Sequence, residues 1–598
     1  MLIKALCDYS RIQEKEVEDG YCKQNVNYLI QLLPEGCIEK IVSVEIPKAP
    51  NDKKGKAKMV LAPKVAELPV RTQKPGIDGN IIEHRPLYIF GLNYNKKDGT
   101  LSTEDKTDKA KKSHKAFCEV NLAFFEGIDS PLCRAYCNFI KTWKPEEHTG
   151  DPILLGLGSR FGAASVYYEF GFDTDKLLQD DPAFREAYGK YLAEKQAAAE
   201  AENTEAAVCS ILGERLPQAR IHDKIKGIAG GIASGCVMVS AKEDAFESYG
   251  KTQSFNSGVS EKAMKMYTSA LNCLLADEAH HKVMDDLTLV YFAMKRDDVN
   301  ESRLVSRLLT GADNTLNDTF AKALKGLPIE FPDIDERVDF YIAGLTANSS
   351  RVCQKFALRR KYGDIIDNIM EHQRNMAIGY EPKYISAGRM LHELVSPKSS
   401  NDRVPPPLLS GIFEAIFNGT NYPTSLLSTM IRRVKTDSDD DNNHFIKLNN
   451  ARAGIIKACL IRNYKKEDIK MLMNQDNKEP AALCGRLFAV LEKIQCDSVT
   501  GDLNRTIGDT YFSSACSQPA TIFPILMKLS RNHMRKLGKP AFIYYDKLLT
   551  ELNAGLNDRY PKQLSLEDQG MFIVNYYQQK SELYTKKETK EKAAQADE

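Results

Sequence analysis

The stretch Ala245-Phe-Glu-Ser-Tyr-Gly-Lys-Thr252, with Asp277-Glu-Ala-His280 after it, decides what kind of fold this chain can have. The first segment fits a loose phosphate-loop spelling and the second spells a helicase box. Together they suggest an ATP-driven motor. A phosphate loop needs small residues, so that backbone N–H groups wrap the phosphates, and a helix must begin at its Lys. Phe246 and Tyr249 crowd this loop, and Ser254, Asn256, Ser257 and Gly258 delay the next helix to about Ser260. From there Ala263, Met266, Tyr267, Ala270, Leu271, Leu274 and Leu275 recur at helical spacing, with Ser260 as N-cap. Asp277 and Glu278 continue that helix, whereas a metal-holding box ends a buried strand. The motor reading is set aside, and a nucleic-acid-dependent ATPase survives only as an alternative that ATP turnover would reveal.

Working outward, residues 25 to 175 read as strands and loops. Asn27 to Leu33, Leu87 to Phe90 and Val166 to Phe170 are apolar runs between Pro, Gly, Asn and Asp clusters. Leu192 to Ala207 reads as an exposed helix or connector, and Cys236 to Ser240 as a short β-like segment. Helical patterns extend from Ser260 to about residue 330, followed by a strand at Phe340 to Leu345. From Lys383 onward nearly everything is helical, with breaks at Pro405-Pro-Pro407, at Tyr422-Pro423 and at an acidic loop from Asp437 to Asp441. Leu483, Leu487, Leu491 and Ile494 form one apolar stripe; Phe572, Tyr576 and Gln579 lie on another. The expected class is α+β. A mixed α/β N-terminal domain with irregular sheets and loops, residues 1–382, precedes an all-α helical bundle, residues 383–598.

The chain has 598 residues, 42% hydrophobic and 27% charged, which is ordinary globular usage. Lys and Arg total 82 against 81 Asp and Glu, a formal net charge of +1. That excludes a protein that holds nucleic acid by bulk positive charge. No signal sequence or membrane-spanning run is apparent, and scattered single cysteines such as Cys273, Cys459 and Cys484 suit a reducing, cytoplasmic setting. Cys133 and Cys137 lack a second pair at zinc-site spacing, and His280 and His281 face different sides of a helix, so no metal site is expected. Gly156-Leu-Gly-Ser-Arg-Phe-Gly162 lacks the following helix of a dinucleotide site and reads as a turn. No catalytic constellation stands out and no cofactor is expected.

Three groups of residues suit nucleic acid. Arg71, Lys74 and Asn80 share a Gly-containing turn in which cations meet phosphates and an Asn pairs with adenine. Arg220, His222, Lys224 and Lys226 run into a Gly cluster. Lys242, Ser248, Tyr249, Lys251, Gln253 and Asn256 then combine cations, hydroxyls, amides and one aromatic on a loop, the mix that holds a backbone and stacks a base. Among the helices, Arg452, Lys457, Arg462, Lys465 and Lys466 recur on one element, with Arg531, Arg535, Lys536 and Lys539 in a further cluster. Singly, each is explained by a solvated face; together they would line a strand-tracking groove.

In order and spacing these segments resemble the large subunit of the type I-C CRISPR surveillance complex (Cascade). Arg220-Ile-His-x-x-Ile-Lys-Gly, a Gly-Gly-x-x-Ser-Gly cluster and Ala245-Phe-x-Ser-Tyr-Gly-Lys-x-Gln resemble its central signature. Phe340-Tyr-x-x-Gly-Leu-x-x-Asn348-x-x-Arg351, Asn418-Gly-x-x-Tyr-Pro, Gly485-Arg-Leu-Phe and Gln569-Gly-x-Phe resemble further blocks. Asn348 and Arg351 join the candidate contacts on this ground. The chain departs from the family at Ala241-Lys242, where an aromatic and Asn are expected, and after Asn80, where Ile81, Ile82 and Glu83 replace an aromatic and a Trp.

The resemblance implies a non-catalytic subunit whose partners are a guide RNA, the repeated backbone subunits, a processing subunit, a small subunit and a helicase-nuclease. Its N-terminal part would grip the guide 5′ end and read the short motif beside the double-stranded DNA target, while base pairing reads the rest. Its helical part would track the displaced strand. The family also tends to make the small subunit from an internal start, for which Met471 or Met473 is expected, giving residues 471–598 as a separate product. A helical scaffold without nucleic-acid contact is the remaining alternative.

Overall fold

The structure is a computed structural model. It describes residues 1–13, 20–48, 60–69, 77–96, 98–103, 108–163, 166–202, 207–241, 243–311, 334–399, 402–437, 447–499, 505–557 and 559–585. It is an α+β protein whose C-terminal region is helical, as expected from the sequence. Two compact units emerge. One comprises residues 3–225 and 237–273; the other comprises residues 1–2, 226–236 and 274–598. The expected boundary at 382/383 falls inside the second unit, because one apolar core runs from its sheet into its helices without a break.

The first unit is built on an aromatic core. Strand Tyr28–Leu32 is buried along its whole length, pairing antiparallel with Ile38–Ser43 and parallel with Tyr168–Gly171. Helices Lys109–Phe125 and Pro131–Thr142 supply Phe117, Phe125, Tyr136 and Phe139 to this core. Trp143 donates its indole N–H to the Phe90 carbonyl at 3.0 Å, so the ring is buried without an orphaned donor. Leu87–Phe90, expected as strand, belongs to a short helix, Pro86–Phe90. Pro86 sets the first turn and Gly91, at φ +65°, ends it, which overrides the apolar run.

The second unit holds a four-stranded antiparallel sheet in the order His281–Met284, Leu287–Ala293, Asp339–Asn348, Arg351–Lys361. Residues 281–293, expected as helix, are therefore a hairpin. Its two-residue turn is Asp285-Asp286, with Asp285 at φ +49°, and its second strand is a β-branched and aromatic run. Asp277 and Glu278 do not continue the preceding helix, which stops at Ala276. Cys236–Ser240 carries isolated bridge residues and forms no strand.

Helices Val299–Thr310, Tyr362–Met376, Ala387–Leu394, Pro406–Asn418, Thr424–Thr436, Asn450–Tyr464, Pro480–Asp497, Ile507–Ser517, Pro519–Met534, Lys539–Gly555 and Leu566–Tyr584 complete the unit among the described residues. Leu483, Leu487, Leu491 and Ile494 are buried, as their spacing predicts, and so are Phe572, Tyr576 and Gln579. The helices carrying these two stripes lie so close that a Cβ on Gly485 would stand 2.2 Å from the Phe572 carbonyl oxygen.

Candidate nucleic-acid interface

The loop between Asp244 and Gly258 is ordered by its own side chains. A 3-10 turn, Asp244–Phe246, leads into a tight turn closed by Lys251 N–H on the Ser248 carbonyl at 3.0 Å. Asn256 ties that turn from beneath. Its Oδ1 accepts from Ser248 N at 2.9 Å and from Ser248 Oγ at 3.3 Å, and its Nδ2 donates to the Lys251 and Gln253 carbonyls at 2.6 and 2.9 Å. Glu247 accepts from Gln253 N at 2.9 Å. Ser254 N–H reaches the Arg220 carbonyl at 3.2 Å, so the loop base rests on the neighbouring candidate segment. The helix after the loop starts at Glu261, capped by Ser260 Oγ on Ala263 N at 3.2 Å, ten residues beyond Lys251. This is not the geometry of a phosphate loop, whose helix begins at the Lys.

The loop presents what it does not use internally. Tyr249 is 97% exposed and sits at φ +54°, while Ser248, Gly250 and Lys251 are exposed around it. Arg220 is exposed, and Ile221 is half-exposed. His222 is not available: it is buried, bonded through Nδ1 to the Tyr267 hydroxyl at 2.7 Å, and burial pushes its pKa down to about 4. Lys224 is half-buried, and its carbonyl accepts from Asn272 at 3.1 Å. Lys226 is exposed and belongs to the other unit. Arg71, Lys74 and Lys242 lie outside the described residues.

Asn80 faces inward. It is buried, its Nδ2 donates to Glu83 Oε2 at 3.2 Å, and its carbonyl accepts from Asn121 at 2.9 Å. Ile81 and Ile82 are buried with it, and Ile82 holds φ +51°, a strained value for a β-branched residue. Asn121 fixes that strain, accepting from Ile82 N at 3.1 Å and from the Tyr136 hydroxyl at 3.2 Å. Glu83 is fully buried and accepts Arg85 Nε at 2.7 Å. Burial pushes its pKa up, but the hydrogen bond and charge of Arg85 outweigh this and hold the carboxyl below its usual range. The residues that replace the family's aromatic pattern therefore build an internal network, and base pairing through Asn80 does not fit its position.

In the second unit, Asn348 and Arg351 flank an exposed hairpin turn with Ser349 at φ +55°. Cys236 Sγ donates to the Ser349 carbonyl at 3.3 Å, which docks the Gly-rich segment 226–236 on that turn. The three candidate cations on helix Asn450–Tyr464 lie inside the core instead of along a groove. Arg452 is completely buried, bonded to Glu393 at 2.7 Å and Asp437 at 2.9 Å. Asp437, expected in a solvated loop, is thus an internal anchor, and Asp439 to Asp441 lie outside the described residues. Arg462 donates to the Ala415 carbonyl at 3.0 Å and lies over the Tyr422 ring. Lys457 donates to the Asn375 carbonyl at 3.2 Å, and burial lowers its pKa to about 8. A cation within a helical pattern carries no mark of which way it faces, and these three face inward.

Lys528, Arg531, Arg535, Lys536 and Lys539 do reach solvent around the turn between helices Pro519–Met534 and Lys539–Gly555, with Phe542 and Tyr544 exposed beside them. The helicase-box spelling has a structural explanation. Asp277 caps a turn through Ala279 N at 2.9 Å, and buried His280 bridges Asp277 and Asp298, each at 3.0 Å. Burial opposes the imidazolium, but these two carboxylates outweigh it and raise the His280 pKa to about 9. Sequence reasoning missed this pair because Asp298 is distant and the segment looked helical. Among the described residues no cluster of three or more His, Cys, Asp or Glu is placed to hold a metal ion, and no helix is long and apolar enough to cross a membrane.

No curated protein matches the chain. A family model described as CRISPR-associated protein (Cas_Csd1) matches residues 6–584, nearly the whole chain, and the chain belongs to that family.

Proposed function

We propose that this chain is the large, non-catalytic subunit of a type I-C CRISPR interference complex, acting in the cytoplasm. It joins a guide RNA and the backbone, processing and small subunits, recognises a short motif beside the double-stranded DNA target, and supports strand opening and recruitment of the helicase-nuclease. The observation that carries this reading is the ordered loop Asp244–Gly258, which holds an exposed aromatic and Lys251 outward and rests on Arg220. Exposed cations with a stacking ring suit a phosphate backbone and an unstacked base. The exposed cations around Lys528 to Lys539 suit the displaced strand in the same way. Family membership across residues 6–584 supports the CRISPR setting.

The test is target binding by the complex assembled on guide RNA, with targets identical in the paired region and different in the flanking bases. The reading requires affinity to depend on those bases and to fall with rising salt. A complex indifferent to them would rule it out.

A further inference from the structure

We infer that Tyr249 stacks on a nucleotide base and that Asn256, itself out of contact with the ligand, is the positioning residue that holds it there. This deepens the interface reading above and rests on it.

Tyr249 is 97% exposed, whereas the other exposed Phe and Tyr rings among the described residues, Phe246 on the same loop and Phe542, Tyr544 and Tyr584 on helices, are only 40–55% exposed. Its backbone occupies the left-handed region at φ +54°, unfavourable for a residue with a large side chain. Strain of this kind persists only where the surroundings over-determine it, and it concentrates at ligand clamps. Asn256 is what over-determines it here. Its two acceptor and two donor contacts span Ser248 to Gln253 and use all the hydrogen-bonding groups of one amide on the turn that carries Tyr249. The amide is thus committed inside the loop and has no capacity left for a base or phosphate.

The phenol ring is left open. Among the described residues nothing stacks on it and nothing bonds its hydroxyl. Gly250 follows at φ +69°, with nothing within 4 Å of where a Cβ would stand, so a partner backbone has room to approach. Lys251 and Arg220 are exposed at the same loop and at its base. A solvent-facing ring two residues from exposed Lys251, on a loop whose base meets the Arg220 carbonyl, fits a base with its phosphates better than an apolar protein groove, which would leave the Lys251 cation facing carbon. Stacking of this kind tolerates any base, so Tyr249 contributes affinity more than sequence choice.

The experiment uses the guide-RNA complex containing the full chain and a forked DNA duplex with 2-aminopurine at successive positions of the single-stranded arm. Binding should quench the probe at one position. Tyr249→Ala should abolish that quenching and weaken binding by about 5- to 150-fold, the range of one aromatic–base stack. Tyr249→Phe should retain both. Asn256→Ala should mimic Tyr249→Ala, yet add nothing in a Tyr249→Ala background, the non-additivity expected of a residue that acts only through the ring. The inference is overturned, with the interface intact, if Arg220→Ala and Lys251→Ala weaken binding while Tyr249→Ala leaves affinity and quenching unchanged. It is also overturned if Tyr249→Ala disrupts subunit assembly and not DNA binding, since the ring would then be a protein contact. If none of these substitutions matters, the interface reading falls and takes the inference with it.

Discussion

His280 shows how much a single buried contact can hide in a sequence. Held between Asp277 and Asp298, with Asp298 also accepting from Ala293 N at 2.8 Å, it joins the end of one helix, a sheet strand and the start of helix Val299–Thr310. Its folded pKa of about 9 lies above the ordinary imidazole value, so the folded state binds the proton more tightly. The stabilisation is complete below about pH 6.5 and is lost as pH rises through about 9. Wild type should exceed His280→Gln in urea-unfolding free energy by on the order of 2 kcal/mol at pH 6, and the gap should shrink steadily toward pH 9.5. A gap that stays constant over that range would refute the charged assignment. Residues of this kind were the least legible. Asn80, His222, Arg452, Lys457 and Arg462 have the right chemistry for nucleic acid by residue type, but the side facing inward depends on distant partners such as Asn121, Tyr267 and Glu393.

Among the elements, helices Pro480–Asp497 and Leu566–Tyr584 were legible because their apolar stripes repeat at helical spacing and meet in one core. What the stripes do not announce is Gly485, which lets the two backbones approach. Gly485→Ala would force its Cβ against the Phe572 carbonyl and should lower unfolding free energy by about 1–3 kcal/mol despite the better helix propensity of Ala. Stability equal to or above wild type in denaturant would show that the helices can separate at no cost. The hairpin His281–Ala293 is hidden in the sequence for a related reason. Its Asp285-Asp286 turn lacks the Gly that usually marks a two-residue connection.

For the whole molecule, 82 basic against 81 acidic side chains has a structural counterpart. Several basic groups are spent inside the fold, at Arg452, Arg462 and Lys457, and the exposed ones are spread over both units, Arg220, Lys251 and the group around Arg535 among them. Such a chain is expected to bind DNA selectively and with guide RNA and other subunits sharing the charge. The same scale governs an internal product. Among the described residues, the 128-residue product from Met471 to Glu598 contains the last five helices, yet Gly570 on the final one packs against Ile456, Leu460 and Leu427, which that product lacks. Replacing Met471 and Met473 by Leu should eliminate a small C-terminal fragment from the purified complex; its persistence would refute both starts.

The central claim is that this subunit reads DNA beside the target. Equilibrium binding of the guide-RNA complex to duplexes that differ only in the flanking bases tests it most directly. The account predicts that at a fixed salt concentration one flanking sequence binds at least tenfold more tightly than its scramble, about 1.4 kcal/mol. Equal affinity for all flanking sequences, with the paired region intact and the complex fully assembled, would contradict it.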